Sequence, residues 1–208
     1  MNPHQLITGQ LPRSRRPSSA GRLVGRLMLG RLMLGGLMTG GLLLGAGPAQ
    51  AALDVGDKAP AFTIDASLAG NVFRFNLADA LKSGPVVLYF FPAAFSIGCT
   101  IEAHEFAEAT DQYKQLGATI IGVSADDIET LKKFSATECR NKFAVGADVD
   151  KSVMKAYDAV LAFKPDFSNR TSYVIAPNGT IVYQYTSLNP YRHVSNTLAA
   201  LKAWSAKK

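Results

Sequence analysis

Two continuous apolar runs, separated by a segment free of glycine and proline, constrain the fold of this chain most strongly. The runs are Val86–Phe91 (VVLYFF) and Thr119–Ser124 (TIIGVS), and their apolar character is typical of strands buried on both faces. Residues 99–115 between them contain no glycine or proline, which favours a helix. Strand, helix and strand at this spacing predict a parallel crossover unit, because parallel strands need a connection of that length.

The chain beyond residue 52 supplies further elements around this unit. Asn178-Gly179 between two alternating runs is the strongest hairpin signal in the sequence, and a helix capped by Ser124 or Asp126 is predicted over 127–141. The other predicted elements are a hairpin (62–65 and 72–76), a short strand (143–146), a helical turn (152–157), the strands of the second hairpin (171–176 and 180–185) and an amphipathic helix (193–204). This order predicts an α/β, thioredoxin-like fold in which helices flank a central mixed sheet, as one domain over residues 52–208.

Residues 1–51 have the pattern of an export segment. Six arginines precede an apolar stretch from Leu32 to Ala46, and Pro48-Ala49-Gln50-Ala51 follows, with small residues where a signal peptidase reads them. We therefore predict a signal peptide over 1–51, cleavage near Ala51, export to a bacterial periplasm and no stable membrane association of the cleaved product. The alternative is an uncleaved anchor, because the run from Leu32 to Leu53 approaches the ~20 residues that span a bilayer.

The charge balance argues against a nucleic-acid partner. Setting aside the six arginines of residues 1–51 reduces the basic residues from 22 to 16, which equals the number of acidic residues. The predicted domain therefore has a formal net charge of zero, although the whole chain carries +6, and it lacks the basic surface that nucleic-acid binding requires. His104 and His193 do not stand at metal-ligand spacing from either cysteine, so we expect no metal and no cofactor.

Cys99 is placed where a thiol becomes reactive. In an exported protein, two cysteines such as Cys99 and Cys139 are first interpreted as one structural disulfide. Cys99, however, begins a predicted helix directly after a buried strand, and the unpaired N–H groups and partial positive charge of a helix N-terminus favour the nucleophilic thiolate. Its neighbours also have plainer interpretations: Pro92 can end a strand, Ser96 can cap the helix, and a lone arginine such as Arg170 is usually solvated.

The segment 90–106 (FFPAAFSIGCTIEAHEF) places a proline, a hydroxyl and a cysteine in the pattern P-x-x-x-[T/S]-x-x-C. This pattern, with the segments 56–62 (GDKAPAF) and 170–175 (RTSYVI), resembles the peroxiredoxin family of alkyl hydroperoxide reductase C and thiol-specific antioxidant proteins. The resemblance extends over residues 54–205 and is nearest to the Q-type, or bacterioferritin comigratory, branch. It departs at Ser96, where the family usually has threonine, so that the methyl group restricting the hydroxyl is lost.

The resemblance implies a role for each residue of the motif. Cys99 would attack a peroxide and become a sulfenic acid, while Arg170 would stabilise the thiolate and the charge that develops on the peroxide. Ser96 would orient the peroxide, Pro92 would shield the thiolate from water, and Glu102 would hold Arg170 in place. The family further implies a thiol-dependent peroxidase for hydrogen peroxide and organic hydroperoxides, recycled by a thioredoxin-like reductant, and the Q-type branch implies a monomer.

Cys139 is the candidate resolving cysteine. Q-type proteins often carry this cysteine five residues after the first, where this chain has His104, but other members place it on the following helix, where we predict Cys139. Helical periodicity puts Cys139 on the face of Leu131 and Ser135, which is predicted to point inward. An intramolecular Cys99–Cys139 disulfide would then require local unwinding of one helix, because its Cα atoms must come within ~7 Å.

Two other functions stay open at this point. One is a one-cysteine peroxidase that uses an external thiol, in which Cys139 is a buried and inert cysteine. The other is a non-catalytic exported binding module of thioredoxin fold, in which Cys99 and Cys139 form a permanent disulfide.

Overall fold

The computed structural model describes residues 52–207, and these build a seven-stranded mixed sheet with helices on both faces. The strands are β1 (Thr63–Leu68), β2 (Asn71–Asn76), β3 (Val86–Phe90), β4 (Thr119–Ser124), β5 (Ala144–Ala147), β6 (Thr171–Ile175) and β7 (Ile181–Thr186). The helices are α1 (Leu77–Ser83), α2 (Ile97–Gln115), α3 (Ile128–Thr137), α4 (Ser152–Ala156) and α5 (His193–Ser205), the last preceded by a 3₁₀ turn at Pro190–Arg192. The predicted signal peptide and its cleavage near Ala51 lie outside the described residues.

The order of strands across the sheet is β2-β1-β5-β4-β3-β6-β7. The neighbours β3 and β4 are parallel, as are β4 and β5, whereas β6 runs antiparallel to β3 and β7 antiparallel to β6. The parallel crossover from β3 through α2 to β4 and the hairpin of β6 and β7 confirm the predicted mixed sheet. In the turn of that hairpin Gly179 has φ 77°, a left-handed conformation that glycine adopts without steric cost.

Alternation along β3 divides the core between the two faces of the sheet. Val87 and Tyr89 pack on the face that carries α2, α3 and α5, and Leu88 and Phe90 pack on the face that carries α1 and α4. All five residues of β3 are buried. This confirms the prediction from its continuous apolar run that the strand is buried on both faces. The strand leading to Cys99 is therefore held in the middle of the core.

Two helices begin where the sequence pattern did not place them. α2 begins at Ile97, so that Cys99 is its third residue and lies within the first turn. The helix α1 was not predicted, because Asn76 was interpreted only as the last residue of a strand. The Asn76 side chain also caps α1 by accepting the backbone N–H of Asp79 at 3.0 Å, so one residue ends β2 and starts the helix.

The predicted caps of α3, Ser124 and Asp126, are wrong. Asp127 is the N-cap, and its carboxylate accepts the backbone N–H of Thr130 at 2.9 Å. The carboxylate of Asp126 instead accepts the backbone N–H of Ala94 at 2.7 Å and the hydroxyl of Ser124 at 2.8 Å. Asp126 thus ties the end of β4 to the loop that leads to Cys99.

The predicted extension of α3 to residue 141 is also wrong, and with it the placement of Cys139 on a helix. α3 ends at Thr137, because Arg140 and Asn141 have φ values of 49° and 58°, a left-handed conformation that no α-helix continues. Cys139 lies in the turn between the end of α3 and these two left-handed residues, where its backbone N–H donates to the carbonyl of Phe134 at 3.0 Å. Its side chain is fully buried among the apolar residues on the α2 face of the sheet.

We expect Gly122→Ala to destabilise the protein by about 1–3 kcal/mol through overpacking. A Cβ at Gly122 in β4 would lie 2.7–2.8 Å from atoms of the Tyr89 ring, which is itself stacked on Phe106. Urea denaturation followed by circular dichroism measures the change, with Ala199→Ser on the exposed face of α5 as the control, expected within about 0.5 kcal/mol of wild type. Equal stability of Gly122→Ala and wild type would contradict this packing.

Candidate active site

Cys99 lies in the first turn of α2, directly beyond the carboxyl end of β3. The loop from 91 to 96 that joins them is fastened on both sides, by Asp126 to Ala94 and by the hydroxyl of Ser168, which donates to the carbonyl of Phe91 at 2.6 Å. Cys99 is only 1 % exposed. As the third residue of the helix it lies among the N–H groups that an α-helix leaves unpaired at its start.

The pairing of β6 with β3 brings Arg170 to the same place. Thr171 at the start of β6 pairs antiparallel with Phe90 at the end of β3, so Arg170 projects beyond the end of β3. Its Nη2 atom lies 3.5 Å from the Sγ atom of Cys99. Gly98 allows this approach, because a Cβ at that position would lie 3.0 Å from Nη2.

Glu102 holds the other side of the Arg170 guanidinium. The Nη1 atom of Arg170 donates to Oε2 of Glu102, one helical turn after Cys99, and Nε donates to the carbonyl of Leu188 at 3.2 Å. Arg170 is 4 % exposed and Glu102 is fully buried. Three contacts from α2 and from the loop after β7 therefore fix the orientation of a single buried guanidinium.

Burial dominates the electrostatics of this group. It raises the pKa of Glu102 to about 8, although the charge and hydrogen bond of Arg170 act in the opposite direction. Burial also lowers the pKa of His193, the first residue of α5, to about 4. The hydroxyl of Tyr89 and Oε1 of Glu102 are buried without a hydrogen-bond partner among the described residues.

The other predicted site residues, Ser96, Pro92 and Cys139, form no hydrogen bond with Cys99 in the described part of the chain. Ser96 is exposed at the N-cap of α2, but its side chain does not cap the helix, because its hydroxyl donates to the carbonyl of Ala93 at 3.0 Å. Pro92 is half-buried immediately after β3. Cys139 and Cys99 are separate thiols with no disulfide between them.

Residues 52–207 contain neither a candidate metal-binding cluster nor a candidate membrane-spanning helix. No cluster of three or more histidine, cysteine, aspartate or glutamate side chains there has the arrangement of a metal site. Within the same range, no helix combines the length and the apolar character needed to cross a bilayer.

Comparison with known proteins identifies the family to which this geometry belongs. The AhpC/TSA family profile matches residues 55–184, which is more than half of the chain. The chain belongs to the AhpC/TSA family. "Peroxiredoxin Q, chloroplastic" of Triticum aestivum is 34% identical over 122 residues, which cover 58% of this chain and 56% of that protein. "Putative peroxiredoxin YkuU" of Bacillus subtilis (strain 168) is 31% identical over 158 residues, covering 72% of this chain and 87% of that protein.

The AhpC/TSA chain therefore spans little more than half the length of the wheat relative. Among solved structures, the peroxidoxin BcpB of Mycobacterium tuberculosis superimposes with a TM-score of 0.65 at 25% identity, over 73% of this chain and 97% of that chain. The AhpC of the same organism superimposes with a TM-score of 0.67 at 20% identity, over 76% of this chain and 96% of that chain. The second likeness shows the fold alone, and together they confirm the peroxiredoxin form of the thioredoxin-like fold.

Sequence reasoning missed several residues that position this family site. Gly98, Asp126 and Ser168 shape and fasten the loop around Cys99. Only Asp126 carried a signal, since it follows a buried strand, and that signal was interpreted as a helix cap. His193 was predicted only as the start of a helix, yet it lies fully buried behind Glu102.

We expect the stability of this AhpC/TSA protein to fall between pH 6.5 and 8 because of Glu102. A folded-state pKa of about 8 means that the folded protein keeps a proton that the unfolded chain has released. As the pH rises through this range, the free energy of unfolding therefore falls by up to about 1.4 kcal/mol per pH unit because of this group. Glu102→Gln should flatten that slope in urea denaturation at stepped pH. Below pH 6.5 the buried His193 adds a slope of the opposite sign, since its lowered pKa makes protonation favour the unfolded chain.

The control for this experiment is Glu129→Gln, an exposed carboxylate paired with Lys132. It should leave the slope unchanged. Parallel pH profiles for wild type and Glu102→Gln would contradict the raised pKa of Glu102.

Proposed function

We propose that this protein is a thiol-dependent peroxidase whose nucleophile is Cys99. The observation that carries the proposal is the approach of Arg170 Nη2 to Cys99 Sγ at 3.5 Å in the first turn of α2. A guanidinium and a helix N-terminus both favour a thiolate over a thiol. The AhpC/TSA profile over residues 55–184 supports the same activity, since named peroxiredoxins are among the relatives.

In the proposed reaction the Cys99 thiolate attacks the terminal oxygen of a peroxide. A sulfur–oxygen bond forms and the oxygen–oxygen bond breaks, so that the sulfur loses two electrons and the peroxide gains them. The leaving oxygen takes a proton and departs as water or an alcohol. Arg170 stabilises the charge on the peroxide oxygens during this transfer, while Ser96 rotates its hydroxyl toward the peroxide and Pro92 shields the thiolate from water.

Apolar side chains near the nucleophile support organic hydroperoxides as substrates besides hydrogen peroxide. Ile97 is 83% exposed, Phe95 is 47% exposed and Leu188 is 50% exposed. Ile97 and Phe95 stand two and four positions before Cys99, and the carbonyl of Leu188 accepts a hydrogen bond from Arg170. Exposed apolar groups on both sides of the thiol favour contact with the alkyl part of a hydroperoxide.

We further propose that Cys139 resolves the sulfenic acid, forming a Cys99–Cys139 disulfide and releasing water. Burial, and then the charge of Glu138, raise the pKa of the Cys139 thiol, so it stays protonated and unreactive in its present position. Resolution therefore requires the turn after α3 to leave the core, and the left-handed Arg140 and Asn141 make this turn the weakest part of the segment. This replaces the unwinding of a helix that the sequence predicts for Cys139.

Several finer features belong to the proposal as well. A thioredoxin-like protein would reduce the Cys99–Cys139 disulfide. The peroxidase itself would be exported to a periplasm, cleaved near Ala51 and active as a monomer. Intact-mass measurement of the purified secreted protein tests the cleavage, and light scattering tests the oligomeric state.

The burial of Cys139 favours one second candidate, a peroxidase that uses only Cys99 and an external thiol. The permanent disulfide of a non-catalytic binding module has no comparable support, because both cysteines are free thiols in this structure.

The deciding experiment is stopped-flow consumption of hydrogen peroxide by the reduced protein from Ala52. We expect rapid reaction of wild type and a loss of at least about 100-fold in Cys99→Ser, since the thiolate is the nucleophile. Cys139→Ser should complete one turnover, accumulate a sulfenic or over-oxidised Cys99 in the mass spectrum, and lose steady turnover. Unimpaired turnover of Cys139→Ser with thioredoxin would favour the one-cysteine peroxidase, and equal slow rates for wild type and Cys99→Ser would reject both peroxidases.

The contacts that hold the Cys139 turn against α2 give a second prediction. Glu138 pairs with His104 at 2.9 Å, and Arg140 pairs with Glu108 at 3.0 Å. Each pair is partly solvated and contributes at most about 1 kcal/mol, so removing both through Glu108→Gln with Glu138→Gln should accelerate disulfide formation by roughly 3- to 30-fold. Quenched alkylation and mass spectrometry after one equivalent of peroxide measure that rate.

The matched control is Glu129→Gln, which removes a carboxylate from α3 without touching α2. It should leave the rate of disulfide formation unchanged. A double variant that forms the disulfide no faster than this control would show that these pairs do not hold Cys139 in place.

A further inference from the structure

His193 is a buried titratable group that the proposed reaction does not use. It is fully buried at the start of α5, and the edge of its ring faces Tyr185 with the ring centroids 4.8 Å apart. Its Nε2 atom lies 2.9 Å from the carbonyl oxygen of Ser187, and its Nδ1 atom lies 2.7 Å from the hydroxyl oxygen of Ser172. Two hydrogen bonds therefore fix the imidazole in one orientation.

Its hydrogen-bond partners determine which nitrogen of His193 carries the proton. The carbonyl of Ser187 can only accept, so Nε2 must donate to it. In a neutral imidazole Nδ1 is then an acceptor, and it receives the hydroxyl hydrogen of Ser172. His193 Nδ1 is therefore an acceptor already bonded to Ser172, and it has no N–H to offer to Glu102.

The second carboxylate oxygen of Glu102 lies near this nitrogen and receives no hydrogen bond from it. Oε1 of Glu102 is buried and has no hydrogen-bond partner among the described residues, while His193 Nδ1 lies 3.6 Å away. An ionised carboxylate oxygen that meets only an acceptor nitrogen in the core is unfavourable, because a buried acceptor without a donor keeps its full desolvation penalty. One proton between the two groups removes the conflict.

The charges of the site also require such a proton. An ionised Glu102 would balance the positive Arg170 only while Cys99 is a thiol. With Cys99 as a thiolate, Arg170 is balanced by the sulfur, and an ionised Glu102 would leave a net negative charge in the core. Neutrality then requires Glu102 and His193 to carry one additional proton together.

We propose that Glu102 and His193 share one proton whenever Cys99 is a thiolate, and that His193 is thereby a positioning residue for the reaction at Cys99. The thiol proton leaves to solvent as the thiolate forms, and the sulfur then balances the charge of Arg170 while the pair keeps its proton. When the thiolate becomes a neutral sulfenic acid, the pair returns a proton that neutralises the departing hydroxide or alkoxide. This inference rests on the proposed peroxidase function.

The groups that face the pair are consistent with this role. Arg170 just before β6, Glu105 from α2 and the hydroxyl of Tyr89 from β3 interact electrostatically with Glu102, and Arg170 also acts on His193. Burial raises the pKa of Glu102 to about 8 in spite of Arg170, and burial lowers the pKa of His193 to about 4, so at neutral pH the shared proton lies on the carboxyl. Above about pH 8 the pair loses it, and Arg170 is shared between two anions.

The test is the pH dependence of the stopped-flow peroxide reaction in His193→Gln and His193→Asn. Glutamine keeps a donor for the Ser187 carbonyl and removes the acceptor at the Nδ1 position, whereas asparagine keeps an acceptor there. We expect the rate of wild type to fall above about pH 8. In His193→Gln this fall should begin about one pH unit lower, so that at pH 8 the variant reacts up to about tenfold more slowly than wild type. His193→Asn should restore the wild-type pH dependence at alkaline pH.

A second pair of measurements separates this role from a structural one. In the background of Glu102→Gln, which cannot ionise, His193→Gln should produce no further shift of the alkaline limb. Infrared spectroscopy of the wild type, which needs no folded variant, should show the carbonyl band of a buried carboxylic acid that disappears as the pH rises through about 8.

A rate loss in His193→Gln that is equal at all pH values, the same shift in both backgrounds, or the absence of the titrating infrared band would overturn the proposal. Its failure can be told apart from failure of the peroxidase proposal. A wild type that shows the infrared band but consumes no peroxide would reject only the peroxidase reaction.

Discussion

The antiparallel pairing of β6 with β3 is the constraint on which the rest of the site depends. Cys99 follows the carboxyl end of β3, and Arg170 precedes the amino end of β6, so the two meet at one edge of the sheet although 71 positions separate them. Had β6 run parallel to β3, its five residues would have carried Arg170 to the opposite edge, roughly 17 Å away. The direction of one strand thus decides whether the sulfur has a cationic neighbour.

A single buried guanidinium then organises the charges. Arg170 donates to Glu102, to the carbonyl of Leu188 and to the sulfur, which leaves it no freedom to turn toward solvent. Because both side chains of the Arg170–Glu102 pair are buried, the loss of Glu102 would leave the charged guanidinium without an acceptor for Nη1 in the core. The geometry around Cys99 is fixed for this reason, and Arg170 lies beside the thiol without movement of any loop.

The sequence predicts those parts of the structure that local patterns determine. The apolar runs of β3 and β4 and the Asn178-Gly179 turn have signals within a few residues, and all three are confirmed. The end of α3 was missed, because Arg140 gives no sign of its left-handed conformation and Asn141, which tolerates that conformation, is a weaker signal than glycine. Burial of Cys139 beyond the helix depends on that turn.

The residues of the candidate site likewise divide into those that local sequence signals indicate and those that only the fold brings together. Cys99 at a helix start is visible from its neighbours in sequence, whereas the contact of Arg170 with Glu102, 68 positions apart, was expected only through the family resemblance. His193 carries no local sign of its burial, since a histidine at the start of a helix is ordinarily half-exposed. Its surroundings come from β6, β7 and α2, and only the closed fold brings them together.

α3 also joins the two cysteine segments mechanically. At one end Asp127 caps the helix while the adjacent Asp126 grips the backbone N–H of Ala94 in the Cys99 loop, and at the other end the chain enters the turn of Cys139. A helix of ten residues is a rod about 15 Å long that bends little. The Cys99 loop and the Cys139 turn are therefore attached to the two ends of one short, stiff helix, so a displacement of α3 would move both cysteine segments together.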